Sequence, residues 1–216
     1  THKLRIWFSN ECSEYEIVFV YHENKTFRFD PALITLYYYY SPRSSTAGLK
    51  FPLVLKTLEG SYGVGVALME STLGLKGVIQ AMNTRVDWDG AILQEYIPHG
   101  GDIRAHVVDN EIFGSMFRTP PPGDFRTNIA RGGQGIVCEL TELEKEHCKL
   151  AANAVGARWC GVDFIPSDDR ENISPKIIEV NCAAETGGLE AALVGKDDEE
   201  SAPLLRKIIE HFMVEK

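Results

Sequence analysis

The run KTLEGSYGVGVALME, Lys56 to Glu70, puts a lysine ahead of three glycines, Gly60, Gly63 and Gly65. It is entered through FPLVLKTL, whose apolar, β-branched text predicts a strand, and it leaves through GVALME, which predicts a second. The glycines between them then form the tip of a β-hairpin. A lysine beside glycines suggests phosphate, and three templates can be tested. A Walker loop places its lysine after the glycines, whereas Lys56 precedes them. A dinucleotide fingerprint opens a helix with GxGxxG, whereas this run reads GxxGxG between strands. What is left is a hairpin tip whose backbone amides, with Ser61 among them, fold over phosphates while a strand lysine adds a point charge. Taken alone, an ordinary glycine-rich turn is the stronger reading, so the rest of the chain has to decide.

Composition narrows the choice. With 216 residues, 44% hydrophobic and 25% charged, the chain can bury a real core in one large or two small domains. Apolar runs such as IVFV and ITLYYYY fall short of the roughly 20 residues that a membrane span needs, and no basic-then-apolar leader opens the chain, so a soluble, cytoplasmic protein is expected. Cys12, Cys138, Cys148, Cys160 and Cys182 show no CxxC pair and read as ordinary reduced thiols. An excess of 31 acidic over 22 basic residues argues against nonspecific nucleic-acid binding but leaves room for one nucleotide.

Outward from the hairpin, residues 1–40 alternate short apolar and polar pieces and predict strands. YYYYSPRSSTAG ends as a linker, with the four tyrosines read as packing and edge residues. TLGLKGVIQAMNT spaces Leu75, Val78, Ile79 and Met82 for a short helix. AILQEYI and IRAHVVDNEIFGSMFR predict strands, the latter folding over Asp109–Asn110. TELEKEHCKLAANAVGA predicts a helix with a Thr141–Glu144 capping box and a stop at Gly156. WCGVDFIPSDD and PKIIEVN predict two more strands, and SAPLLRKIIEHFMVEK a closing amphipathic helix.

In GVDF and IIEVN, alternation sets Asp163 on one face of its strand and Glu179 and Asn181 on one face of the next, with Val162, Phe164, Ile178 and Val180 pointing the other way. If the strands pair, three oxygen-bearing side chains converge. No cation follows at the right phase to neutralise them, so a bound Mg²⁺ or Mn²⁺ is expected to do so, unless the face is merely solvated. Between the two clusters, Gln94, Glu95, Tyr96 and Ile97 suit a hinge that reads adenine and ribose, with Asp102 as a further polar contact. GDFRTNIARGG offers Arg126, Asn128 and Arg131 as donors for phosphate or carboxylate. Arg104, Arg118 and Arg131 could receive an acidic substrate or satisfy carboxylates on the sheet face.

From about Phe51 to about Glu190 the sequence resembles the RimK-like branch of the ATP-grasp ligases, on PLVLKTLEGSYGVGV, LQEYIPHGGDIRAHVV, GDFRTNIARGG and GVDF followed by IIEVN. The resemblance implies an α+β ATP-grasp fold, two subdomains clasping ATP. Residues 47–97 would form the small subdomain with the glycine loop, 98–216 the C-terminal subdomain with the metal site, and 1–46 a partial N-terminal region. It implies that Lys56 and the Gly60, Ser61, Gly63 and Gly65 loop contact phosphates. Glu95 and Tyr96, flanked by Gln94 and Ile97, would hold the adenine hinge and Asp102 the ribose region. Arg126, Thr127 and Asn128 would meet the nucleotide and intermediate, and Asp163, Glu179 and Asn181 would hold two Mg²⁺ ions. The implied reaction activates a carboxylate as an acyl phosphate at the expense of ATP, and an amine displaces phosphate to give an amide. Arg126 is the expected stabiliser of the acyl phosphate. Glutamate is the commonest amine of the branch, and the acceptor is a peptide, protein or small-molecule carboxylate.

Two departures bear on substrate. Members carry a full N-terminal α/β domain and a helical stretch with another nucleotide-contacting lysine, whereas only about fifty residues precede Phe51 here; either the region is naturally short or segments are missing, and the jump from YYYY to STAGLKFP is where such a gap would fall. After the metal asparagine, relatives resemble NxSPGLEG and this chain has NCAAETGGLE. The alternatives are an ATP-binding protein without ligase activity and, lacking any HRD-type motif, a less well supported kinase-like phosphotransferase.

Overall fold

The computed structural model describes residues 50–57, 61–82, 84, 91–194 and 202–214, together with the backbone of four strands nearer the N-terminus. Three of those strands, β1 (Arg5–Trp7), β2 (Ile17–Tyr21) and β3 (Lys25–Phe29), form an antiparallel sheet in that order. The fourth, β4 (Tyr37–Tyr40), is the tyrosine run, and it lies at the edge of a second sheet.

That second sheet contains the Lys56 hairpin. β5 (Leu53–Thr57) and β6 (Val66–Met69) pair antiparallel with Lys56 opposite Val66, and β5 also pairs with β7 (Ala91–Glu95), so the order is β4-β7-β5-β6. Helix α1 (Thr72–Met82) covers one face: Leu75 and Ile79 are buried, with Val78 and Met82 packed beside them against Leu53, Leu55, Met69, Ala91 and Leu93. Its first turn is tied by the Ser71 hydroxyl, which accepts from the Gly74 amide at 3.1 Å.

The third sheet is larger. β8 (Asp102–Val108) and β9 (Glu111–Thr119) fold over Asp109 and Asn110, both at positive φ as a tight hairpin turn requires. β10 (Gln134–Val137) joins β9, and β11 (Trp159–Ile165) runs between β8 and β12 (Lys176–Asn181), giving the order β10-β9-β8-β11-β12. Helix α2 (Glu142–Ala154) starts with the expected capping box, Thr141 and Glu144 bonding reciprocally, and Gly156 follows its end at positive φ. It packs Cys148, Ala151 and Ala152 on Ile103, Ala105, Val107, Cys160, Val162 and Phe164.

One expected phase shifts. A bulge between Asp163 and Phe164 pairs Phe164 with Ile177, so Ile177 fills the core place predicted for Ile178, while Glu179 stays opposite Asp163. The opposite sheet face is closed toward one end by two helices. One, α3 (Gly187–Val194), was not evident as a helix in the sequence; the other, α4 (Pro203–Val214), was. Leu189, Leu204 and Ile208 pack there on Val108 and Met116. The Glu190 carboxylate of α3 accepts from the Leu204 and Leu205 amides at 3.1 and 2.7 Å, capping α4.

Candidate active site

Alternation sends Asp102, Arg104 and His106 of β8, Arg118 of β9, Gly161 and Asp163 of β11, and Glu179 and Asn181 of β12 to one face of the large sheet. Register sets their neighbours: Asp102 is opposite Arg118, Arg104 opposite Asp163, and Asp163 opposite Glu179. The Arg104 guanidinium grips Asp163 through Nε and Nη2, at 2.7 and 2.6 Å. Arg118 grips Asp102 the same way, at 2.8 and 2.7 Å, and its Nη2 also lies 3.1 Å from Asp163 Oδ2.

This corrects the expectation that no cation neutralises the carboxylates. The cations come from β8 and β9, and only the order β9-β8-β11 brings them alongside. Of the three arginines weighed as substrate receivers, Arg104 and Arg118 satisfy sheet-face carboxylates, and Arg131 Nε lies 3.9 Å from Asp124. Burial is the largest single influence on Asp163 and acts to raise its pKa, but Arg118 and Arg104 together outweigh it and hold the carboxyl low.

Glu179 behaves in the opposite way. It keeps accessible surface, yet the protein atoms crowded around it, and next the Asp163 charge, push its pKa up, with Lys56, Arg104 and Arg118 opposing. Lys56, on the other sheet, is half-buried; burial lowers its pKa, while Glu179, Asp163 and Asp102 act to raise it. The strand lysine before the glycine loop therefore stands in the field of three carboxylates of the large sheet. Two sheets, each with its own core, contribute to one polar site.

The loop before β10 joins them a second way. Arg126 Nη1 donates to the Gly63 and Val66 carbonyls at 3.2 and 3.1 Å, while Nε and Nη2 hold Asp124 at 2.9 and 2.8 Å. A short 3₁₀ turn, Ile129–Arg131, follows with Asn128 at its N-terminal flank and Thr127 buried. Gly63 sits at φ +72°, and a β-carbon there would collide with Asn128 Oδ1, so the glycine tip lies directly on this loop. Of the other loop positions, Ser61 is exposed, Gly65 also has positive φ, and Gly60 lies outside the described residues.

At the end of β7, Gln94 is buried and its Oε1 has no hydrogen-bond partner among the described residues. Glu95 is exposed, Ile97 half-buried, and Tyr96 meets the edge of Phe125 at a centroid distance of 5.8 Å. His106 is buried with Nδ1 unpartnered, and burial foremost, with Arg104 next, pushes its pKa down to about 4, so the ring is neutral at physiological pH. Gly161 beside it has no room for a side chain: a β-carbon would come within 2.7 Å of Ala184 in the NCAAETGGLE segment.

Residues 40–199 match the RimK-like ATP-grasp domain. The chain belongs to that family. Among curated relatives, it is 36% identical over 144 residues to a probable alpha-L-glutamate ligase of Psychromonas ingrahamii, covering 65% of this chain and 45% of the relative. It is 37% identical over 164 residues to another of that description from Pseudomonas entomophila, covering 74% and 50%. The chain thus spans about half the length of the curated relatives it matches. Among solved structures, the ATP complex of D-alanine–D-alanine ligase from Bacillus anthracis superposes with TM-score 0.57 at 19% identity, over 82% of this chain and 60% of that one. The macrocyclase MdnC of Microcystis aeruginosa, bound to its precursor peptide MdnA, gives 0.57 at 16%, over 85% and 56%. These likenesses establish the α+β ATP-grasp fold.

Within this RimK-like chain the structure draws together Lys56, Asp102, Asp163 and Glu179, and separately Gly63, Arg126 and Asn128. Sequence reasoning left carboxylate pairing by Arg104 and Arg118 as one of two readings, and did not single out Asp124 or His106. Alternation along DIRAH marks Arg104 and His106 as face-mates of Asp102, a signal that was available. The pairing of β8 with β11, about fifty residues on, was not.

Proposed function

We propose that this RimK-like chain is an ADP-forming carboxylate–amine ligase. The observation that carries the reading is Lys56 standing across from Asp102, Asp163 and Glu179, a lysine for phosphate on one sheet and carboxylates on the other. Residues 47–97 and 98–216 are the two subdomains in this reading, and the unpartnered Gln94 Oε1 is an acceptor suited to the exocyclic amino group of adenine.

The donor set fits a hard divalent cation. Among the described residues, Asp163 Oδ2 accepts from both arginines, while Oδ1 accepts from Arg104 alone and has a lone pair to spare; Asn181 Oδ1 accepts from the Ala183 amide at 2.9 Å. The Glu179 pKa is raised by loss of water around the carboxyl first and by the Asp163 charge second, and a bound cation would oppose both. Among the described residues no three His, Cys, Asp or Glu side chains are placed to hold a metal ion by themselves, and the set offered here is two carboxylates and an amide, which suits Mg²⁺ bound jointly with substrate phosphates. Such an ion would offset charge on the transferring phosphoryl group.

In the first step a carboxylate oxygen of the acid substrate attacks the γ-phosphorus of ATP, and the bond to the β-phosphate oxygen breaks, releasing ADP. In the second an amine nitrogen attacks the acyl carbon, inorganic phosphate leaves with the C–O electron pair, and the nitrogen loses a proton. Lys56 and the glycine-tip amides position the phosphates, and Arg126, once released from Asp124, steadies the acyl phosphate. Glutamate is the amine we favour, on the description of the relatives. No helix among the described residues is long and apolar enough to cross a membrane, and we place the enzyme in the cytoplasm, where ATP and amino acids are plentiful.

The test is a mass-spectrometric screen of candidate acids and amines for ATP-dependent amide products, with stoichiometric ADP. Products absent from Asp163→Asn and Glu179→Gln reactions support the reading. ATP-dependent thermal stabilisation with no product across the panel would point to nucleotide binding without ligation.

A further inference from the structure

Among the described residues, Arg118 is the arginine of the polar face that contacts two of the expected site carboxylates. Its side chain is 4% exposed, so it cannot meet a substrate. Nε and Nη2 take Asp102 as a fork, and Nη2 reaches on to Asp163 Oδ2 at 3.1 Å. Asp102 stands at the nucleotide end of the proposed site and Asp163 at its metal end. A planar guanidinium can serve both at fixed angles; a lysine ammonium, a single point charge on a flexible stem, cannot. Arg118 and Arg104 also share Asp163 Oδ2, which leaves Oδ1 as the oxygen with capacity for a cation.

We propose that Arg118 is a positioning residue that couples the two ends of the site, transmitting the state of Asp102 to the metal-binding carboxylate Asp163. The inference rests on the metal site of the proposed function. Its content is specific: Asp102, which is not a metal ligand in this reading, influences cation affinity through Arg118. With Asp102 removed, Arg118 turns wholly to Asp163 and competes with the cation for it.

The experiment is a double-mutant cycle on cation binding in the nucleotide-free protein, read as free Mn²⁺ by electron paramagnetic resonance for wild type, Asp102→Asn, Arg118→Lys and the double variant. Asp102→Asn weakens Mn²⁺ binding several-fold in the wild-type background and by less than about twofold in the Arg118→Lys background, and Arg118→Lys itself weakens it about 10-fold or more. Equal factors for Asp102→Asn in both backgrounds, or an unchanged Mn²⁺ affinity in Arg118→Lys, overturn the proposal. Should Arg118→Lys fail to fold, Asp102→Glu takes its place, keeping the charge while displacing the Arg118 fork. Mn²⁺ binding weakened in Asp102→Glu as in Asp102→Asn supports the relay, and wild-type affinity in Asp102→Glu overturns it. A wild type that binds no Mn²⁺ overturns the proposal together with the metal site, and the amide screen then judges the ligase reading separately.

Discussion

The polar face of the large sheet and the contact between glycine tip and Arg126 loop are built in opposite ways. On the sheet, two arginines and two aspartates are placed by strand register and held in paired forks: Arg104 on Asp163, Arg118 on Asp102. At the tip, one partly exposed arginine reaches from a loop to two backbone carbonyls. The first arrangement makes stability depend on charge pairing. The second ties the glycine tip to the loop through one arginine and two backbone carbonyls, so tip and loop can part at little cost to either core.

The difference can be broken first at Arg118. Removing one partner from a buried ion pair strands the other charge, so Arg118→Met is expected to lose about 3–5 kcal/mol of stability, read as a large fall in melting temperature. A fall no greater than that of a surface variant would place the pairs outside the stability of the sheet. The counterpart is Arg126→Ala, expected to cost about 1 kcal/mol or less of stability while lowering ATP-dependent amide formation about 10²–10³-fold. Activity and melting temperature therefore separate the two regions, and a variant that melts early while keeping its rate would reverse the comparison.

A smaller effect sharpens it. Gly63→Ala forces a side chain into a positive-φ position against Asn128, and a cost of about 1–2 kcal/mol is expected. The loss should appear mainly as a raised KM for ATP and as faster proteolysis near the tip, with α2 and its sheet unaffected. Melting of the whole chain in step with the tip would show that the two regions are one cooperative unit.

The smallest effect is a pH dependence. The Glu179 pKa is raised in the folded protein, first by the protein atoms that displace water around it and second by Asp163. Its folded pKa lies above its unfolded one, so its contribution to stability is full below the unfolded pKa and is lost as pH rises through the folded value. In metal-free buffer, Glu179→Gln should therefore melt slightly above wild type at neutral pH, the difference closing as pH falls into the ordinary carboxylate range. Millimolar Mg²⁺ should reverse the sign by stabilising wild type alone.

The same contrast explains what could be read from the sequence. Local patterns carried far: the hairpin about Lys56, helix α2 with its capping box, and the shared face of Asp163, Glu179 and Asn181 all follow from residues near one another in the chain. Non-local pairing did not. Nothing in GVDF announces that Arg104 will lie across from Asp163, because β8 and β11 are joined only by the fold. The core position of Ile177 depended on a bulge that alternation cannot foresee. Helix α3 carries two glycines at its start and no amphipathic stripe, so it offered no periodic signal. In the loop, the sequence marked Arg126 as a donor but not the backbone carbonyls it would find.

The central claim is that the polar face of the large sheet, opposite Lys56, is the nucleotide and metal site. Its most direct test is calorimetric titration of a non-hydrolysable ATP analogue, with and without Mg²⁺, into wild type and Glu179→Gln at neutral pH. The account predicts Mg²⁺-dependent binding by wild type and a loss of about 100-fold or more in a variant that is folded and no less stable in metal-free buffer. Equal Mg²⁺-dependent affinity in the two proteins would contradict it.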